Sequence, residues 1–410
     1  MNAVPQEPIL PAGRGDLRIV ALALVIFMTD GFDLQVVAFV GTSMLRTFGQ
    51  PLTALGPLLT WGVLGILIGA VILGALSDRI GRIGPLIFSL VLFALGTLAT
   101  SLVTDFHQIA PLRLVTGIGL GGAMPSLYAL SAENARPQWR ALTITLAACG
   151  NPLGAALGGL LCAQVVPSHG WRIVFEVAGV FSLLLVPGVW GLVPRVRPAA
   201  SAPRDPQERM SHGFRGLSAL FQGERRVGTP LVWFTCFSAV LTAYFLVSWT
   251  PALAERAGLS PQMAILAGVL LNVGAILGGL LLSRLIDQRG VYRVLGNAFV
   301  IAAGSIALIG WTWHVPTLFL GNILLVGMLG FGCAACVGTF AALFYPEAIR
   351  GTGVGFAMAM AQVGGVVGPY LGGVLVGAGL STAVLFLIVA GNSLLPALAI
   401  YGLAKRTAAR

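Results

Sequence analysis

Twelve long apolar stretches divide this chain, and that single feature excludes most folds. They run approximately over 17–40, 54–76, 83–103, 106–130, 139–165, 171–193, 229–254, 261–283, 291–313, 316–343, 352–378 and 380–403. Each is as long as the roughly 20 residues a helix needs to cross a bilayer. Composition agrees. Only 9% of residues are charged and 57% are hydrophobic, where soluble domains carry about 25% charge. The 55 glycines suit helices that pack closely in lipid. The expected fold is therefore an all-α membrane protein whose main partner is the lipid bilayer.

The formal charge of +10 could suggest nucleic acid, but the arginine positions point elsewhere. With the amino terminus inside, 20 of the 24 Lys and Arg fall in segments on that side, and only Arg46, Arg172 and Arg256 fall outside. This is the positive-inside pattern, with both termini cytoplasmic and no nucleic-acid partner. The amino terminus lacks a small-residue cleavage site, so no removable signal peptide is expected. Cys149, Cys162, Cys236, Cys333 and Cys336 all lie in apolar spans. The C-x-x-C of Cys333 and Cys336 has no partner pair and reads as packing. The histidines His107, His169, His212 and His314 fall in loops or near helix ends. No metal or cofactor is expected.

The chain also repeats itself. Asp78-Arg79-Ile80-Gly81 after the second span is echoed by Asp287-Gln288-Arg289-Gly290 after the eighth. Gly150-Asn151-Pro152 with Gly158-Gly159 in span five is answered by Gly364, Gly368-Pro369 and Gly372-Gly373 in span eleven. The offsets of 209 and 214 residues join helices running the same way, as in a parallel duplication with a site between the halves. The expected units are a six-helix half over 1–193, a polar Arg-, Pro- and Ser-rich cytoplasmic linker over 194–228, and a second half over 229–410.

Ionisable residues inside such spans are costly and by default functional. Asp30 and Asp33 lie at the middle of span one, three residues apart and so on one helical face. Two carboxylates that close without water repel each other and favour taking up a proton, so the pair is a candidate for proton coupling. Gluing this helix to a neighbour is the plainer alternative. Arg113 in span four lies about 10 Å in from one end of its helix, and Asp33 about 24 Å from the other end of its own. In a core of about 30 Å these depths nearly coincide. A guanidinium can hold a carboxylate through two parallel hydrogen bonds, with Asp33 or a substrate carboxylate as partner. A structural ion pair is the alternative there. Asn151, Asn272 and Gln362 could contact a ring hydroxyl or bridge helices. Trp61, Tyr128, Tyr244, Trp249 and Tyr370 could wall a cavity for a ring-bearing ligand. Glu176, four residues after Arg172, suits a local ion pair.

Three motifs carry a resemblance. Gly74-Ala75-Leu76-Ser77-Asp78-Arg79-Ile80-Gly81-Arg82 is similar to the loop motif G-x-L-x-D-R-x-G-R of the major facilitator superfamily. Arg113-Leu114-Val115-Thr116-Gly117-Ile118-Gly119 is similar to its R-x-x-x-G-x-G pattern. With Asp30-Gly31-Phe32-Asp33-Leu34-Gln35, the chain resembles the aromatic acid:H⁺ symporter family within that superfamily. Pro125, Glu133-Asn134, Arg140, Tyr244 through Trp249 with Pro251, Tyr345-Pro346 and Arg350-Gly351-Thr352-Gly353 fit it too. The match covers residues 17–400. It implies twelve transmembrane helices in two pseudo-symmetric halves and proton-coupled import of benzoate-, hydroxybenzoate- or phenylpropanoate-type acids. It also implies roles for Asp30, Asp33 and Arg113, for Tyr244 and Trp249 at the substrate, and for Gly74, Asp78, Arg79, Gly81, Arg82, Glu133 and Asp287 in gating. Two positions depart from the pattern. Ile83 stands where a basic residue is usual after Arg82, and Gln362 stands where span eleven commonly has Arg.

The sequence reading is thus a monomeric symporter of the bacterial inner (plasma) membrane, taking a small aromatic carboxylate and protons, and not an enzyme. An exporter of drugs or acids on the same fold, or a non-transporting sensor of aromatic acids, is the alternative.

Overall fold

The computed structural model describes residues 17–133, 143, 147, 149–192, 218–223 and 225–408. Twelve long helices occur among them: α1 (Leu17–Thr47), α2 (Leu55–Ile80), α3 (Ile83–Ser101), α4 (Ile109–Glu133), α5 (Gly150–His169), α6 (Arg172–Leu192), α7 (Arg225–Arg256), α8 (Pro261–Arg289), α9 (Val291–Thr312), α10 (Pro316–Phe344), α11 (Glu347–Gly377) and α12 (Thr382–Ala408). Without water, backbone groups must bond within their own segment, which is why each apolar stretch becomes a helix. Ten of the helices are long and apolar enough to cross a membrane. The other two, α4 and α5, hold four glycines each. α7 begins at Arg225, inside the expected linker, so Arg225–Gly228 form its first turn. Most of that linker and the start of span five lie outside the described residues.

The duplication reappears as repeated contacts. On α2, a Cβ at Gly65 or Gly69 would collide with the backbone carbonyl of Leu114 or Ile118 on α4. On α8, a Cβ at Gly274 or Gly278 would collide with that of Leu324 or Met328 on α10. Every pair is displaced by 209 or 210 residues, and each lets two backbones touch. α5 meets α1 in the same way that α11 meets α7. Gly154 abuts the Met28 carbonyl and Gly364 the Phe237 carbonyl. α2 and α8 also end alike, on Gly81 at φ 94° and Gly290 at φ 81°, a backbone conformation that suits glycine.

The apolar core is joined at one end of the bundle and divided at the other. Away from the chain termini, one continuous cluster runs from Val36, Phe39 and Met44 to Phe245, Trp249 and Leu271, and so spans both halves. Towards the termini there are two separate clusters. One, around Phe27, Leu90 and Leu127, belongs to α1–α6, and the other, around Leu220, Phe340 and Tyr345, belongs to α7–α12 and the turn before them. At the joined end, Gln35 and Asn272 exchange reciprocal amide hydrogen bonds of 2.8 Å across the halves. Thr42 Oγ1 donates to Glu255 Oε1 at 2.7 Å, and Arg46 Nη2 to Glu255 Oε2 at 2.8 Å. Gly56 and Gly373 bring α2 and α11 into backbone contact there. The halves are therefore closed together at the end far from the termini, and their cores part at the other.

Candidate functional site

α1 places its two aspartates at mid-helix, and the neighbouring helices treat them differently. Asp33 is fully buried and is held from α3 and α4. Arg113 Nη2 donates to Asp33 Oδ2 at 2.5 Å and Nη1 to Oδ1 at 3.2 Å, a two-point grip. Nη2 also donates to the Asp33 backbone carbonyl at 3.0 Å, and Thr97 Oγ1 to Oδ1 at 3.0 Å. The guanidinium carbon lies 6.0 Å from the Phe175 ring centroid of α6, within cation–π range. Gly62 on α2 leaves space beside Nε. The depths read from the sequence do bring Asp33 and Arg113 to one level.

Among the described residues, no cation is bonded to Asp30. Asn151 Nδ2 of α5 donates to its Oδ2 at 2.6 Å, while Tyr128 of α4 and Tyr244 of α7 lie within electrostatic range of its carboxyl. Tyr128 packs on Phe27 at 5.0 Å between ring centroids. With Asp33 matched by Arg113, the ionised cluster carries one net negative charge, and that charge sits on Asp30. Tyr244, half-buried, lies against the Gly365 backbone of α11. Gln362 is exposed one turn nearer the terminal end of that helix.

Other expected residues fall elsewhere. Trp249 is wholly buried, and its indole N–H donates to the Pro369 carbonyl at 2.9 Å. Gly372 makes room for that ring, so Trp249 packs α7 on α11 and lines no opening in this conformation. Tyr370 shares an exposed stripe of α11 with Phe356, Val363 and Val374. Asn272 is taken by Gln35 and the Gly268 carbonyl. Arg172 bonds the Val103 carbonyl and lies over Trp171, in place of the expected pair with Glu176. The five cysteines are free, and Cys336 meets Ser283 at 3.8 Å.

Of the expected gating residues, Gly74 approaches Pro125 of α4, and Ser77 and Ser126 hydroxyls meet at 2.9 Å beside it. Gly81 caps α2 and Arg82 opens the turn into α3. Asp287 is exposed near the end of α8. The side chains of Asp78, Arg79 and Glu133, and all of Asn134 and Arg140, lie outside the described residues. Sequence reasoning missed Thr97 and Glu255. A search for hydroxyls inside apolar spans would have found Thr97, but only the fold sets Glu255 against α1.

A twelve-helix duplicated bundle with a buried arginine–carboxylate pair at mid-depth defines a multi-pass membrane transport protein. Residues 22–342 match the Major Facilitator Superfamily, and the chain belongs to that superfamily, within its group of aromatic-acid transporters. It is 30% identical to a gallate transporter of Pseudomonas putida, over 93% of this chain and 90% of that protein. It is 33% identical to a 3-(3-hydroxy-phenyl)propionate transporter of Escherichia coli, over 94% of each. Its fold resembles the crystal structure of a D-xylose–proton symporter, with a TM-score of 0.73 over 94% of this chain and 97% of that one at 16% identity. These proteins are transporters, and the chain is no enzyme.

Proposed function

We propose that this protein imports a small aromatic carboxylate together with protons, by alternating access across the bacterial inner membrane. One observation carries the reading. Arg113 is buried and committed to Asp33 in a two-point ion pair, so a substrate carboxylate can take it only if Asp33 gives it up. Asp33 gives it up most readily by accepting a proton, because an unpaired buried carboxylate is costly. A monocarboxylate would raise the cluster of Asp30, Asp33 and Arg113 from one net negative charge to two. One proton returns it to one and two make it neutral, with Asp30 and Asp33 as the proton carriers. At least one proton per substrate follows. Relatives named for gallate, 4-hydroxybenzoate and 3-(3-hydroxy-phenyl)propionate support a benzoate- or phenylpropanoate-like acid.

Tyr244 and Gln362 offer a ring face and a hydrogen-bonding amide to such a ligand, and Asn151 passes between Asp30 and a ring hydroxyl. The halves 1–193 and 225–410 rock about this site as a monomer, joined by the 194–224 linker. Both termini are cytoplasmic, as the arginine asymmetry suggests, which makes the described conformation closed outside and parted inside. Gly74, Asp78, Arg79, Gly81, Arg82, Glu133 and Asp287 form the inner gate, which closes when the outer one opens.

The test is uptake of labelled benzoates, hydroxybenzoates and phenylpropanoates by cells, with and without an uncoupler. Accumulation of one class that collapses with the uncoupler is the expected result. Uncoupler-insensitive equilibration, or no uptake of any member, would overturn the reading.

A further inference from the structure

The mechanism above uses one oxygen of Asp30 and leaves the other unexplained. Asp30 Oδ1 is buried and finds no hydrogen-bond partner among the described residues. On α3, the Ser89 hydroxyl is fully buried and is likewise without a partner among them. Both side chains line one small cavity between α1, α3 and α4, with Thr29, Phe93, Leu120 and Ala123 among its walls. Its volume is about 10 Å³, at the threshold for a single water. Glycines fix its shape, since a Cβ on Gly122 would strike Ser89 Oγ and one on Gly119 would strike the Ser89 carbonyl. Leu120 walls it from a second small cavity that is lined by Arg113.

Buried polar atoms are as a rule hydrogen-bonded, and two that line one apolar pocket can share a partner within it. We propose that this cavity binds one water, which accepts a hydrogen bond from Ser89 Oγ and donates one to Asp30 Oδ1. Its role follows from the charges around Asp30. Arg113 is engaged by Asp33 on α1, and the groups facing Asp30 from α4, α5 and α7 are Tyr128, Asn151 and Tyr244. None of these three is a cation. An ionised Asp30 therefore rests on hydrogen bonds, with Asn151 on Oδ2 and the water on Oδ1. The water makes the anionic form tolerable, and so permits Asp30 to release its proton. Ser89 is a positioning residue that acts through this water. The inference rests on the reading of Asp30 as a proton carrier.

The experiment uses three variants of the full chain in proteoliposomes. Ser89→Ala removes the water's donor, Ala123→Val fills the cavity from α4, and Asp30→Asn is the control. Accumulation driven by an imposed pH difference is compared with substrate counterflow, and the carboxyl C=O band of protonated Asp30 is followed by infrared difference spectroscopy. Loss of one hydrogen bond to a charged group predicts about tenfold slower driven accumulation in Ser89→Ala and Ala123→Val, with counterflow within about twofold. The Asp30 band, identified by its loss in Asp30→Asn, shifts in Ser89→Ala. Wild-type accumulation and an unmoved band in both cavity variants overturn the water site, even if Asp30→Asn fails to accumulate. Full accumulation by Asp30→Asn overturns the proton-carrier reading instead. Accumulation that needs sodium, and loses that need in Ser89→Ala, assigns the cavity to a cation and overturns the water.

Discussion

At the scale of single residues, the site rests on one permanently charged group and on what faces it. Removing one partner of a buried ion pair strands the other, at about 3–5 kcal/mol, so the informative substitutions keep hydrogen bonding. Arg113→Lys is expected to weaken substrate binding at least about tenfold, because an ammonium cannot span both carboxylate oxygens. Equilibrium binding in detergent measures it, and unchanged affinity would remove Arg113 from the substrate. The double variant Asp30→Asn, Asp33→Asn is expected to lose uphill accumulation, whereas exchange survives in at least one of the single variants. Wild-type accumulation by the double variant in proteoliposomes with an imposed pH difference would end the coupling mechanism.

At the scale of helices, packing is set by small residues and closure by a few polar bonds. Gly65, Gly69, Gly274 and Gly278 stand where any side chain would meet a facing carbonyl, which keeps α2 on α4 and α8 on α10. Across the halves, by contrast, Glu255 is bonded to Thr42 and Arg46 of α1. Arg46 is largely exposed, so its share is small, and the part-buried Thr42 bond carries more. Glu255→Ala, which removes both acceptors, is expected to favour opening at that end by about tenfold. The check is the labelling rate of a cysteine placed at the buried Leu58, in protein whose native cysteines are serine, by a polar reagent added from outside. An unchanged rate would show that Glu255 holds nothing shut.

At the scale of the whole molecule, the duplicated halves are joined at one end and separate at the other, so the polar groups near Asp30 belong to one access state. Topology is testable directly. Single cysteines at Ala199 and Ala408 should resist an impermeant reagent applied to intact cells and react after lysis, and labelling from outside would reverse the orientation. Asp78→Asn should slow turnover severalfold with substrate affinity kept, because the end of α2 that carries it lies far from Asp33 along the bundle. A proportional loss of binding and turnover would take Asp78 out of the gate.

The sequence by itself determined the helices, because an apolar stretch of about 20 residues in lipid has no other way to satisfy its backbone. It also determined the duplication, through glycines and helix ends that recur, although the structure matches Gly364 to Gly154, one turn from the Gly150 that the sequence pairs with it, and the level shared by Asp33 and Arg113, since depth along a helix is a count of residues. Only the tertiary structure decided which way each side chain faces. Asp30 and Asp33 share a helix face, yet one meets Arg113 and Thr97 while the other meets Asn151 and a cavity. Trp249 and Tyr244 sit five residues apart on α7, and one is sealed against α11 while the other stays half-exposed. Glu255 and Thr42 are 213 residues apart, and no local pattern encodes their meeting. Helix periodicity gives the face of a residue, whereas its partner depends on how helices distant in sequence are rotated and brought together by packing.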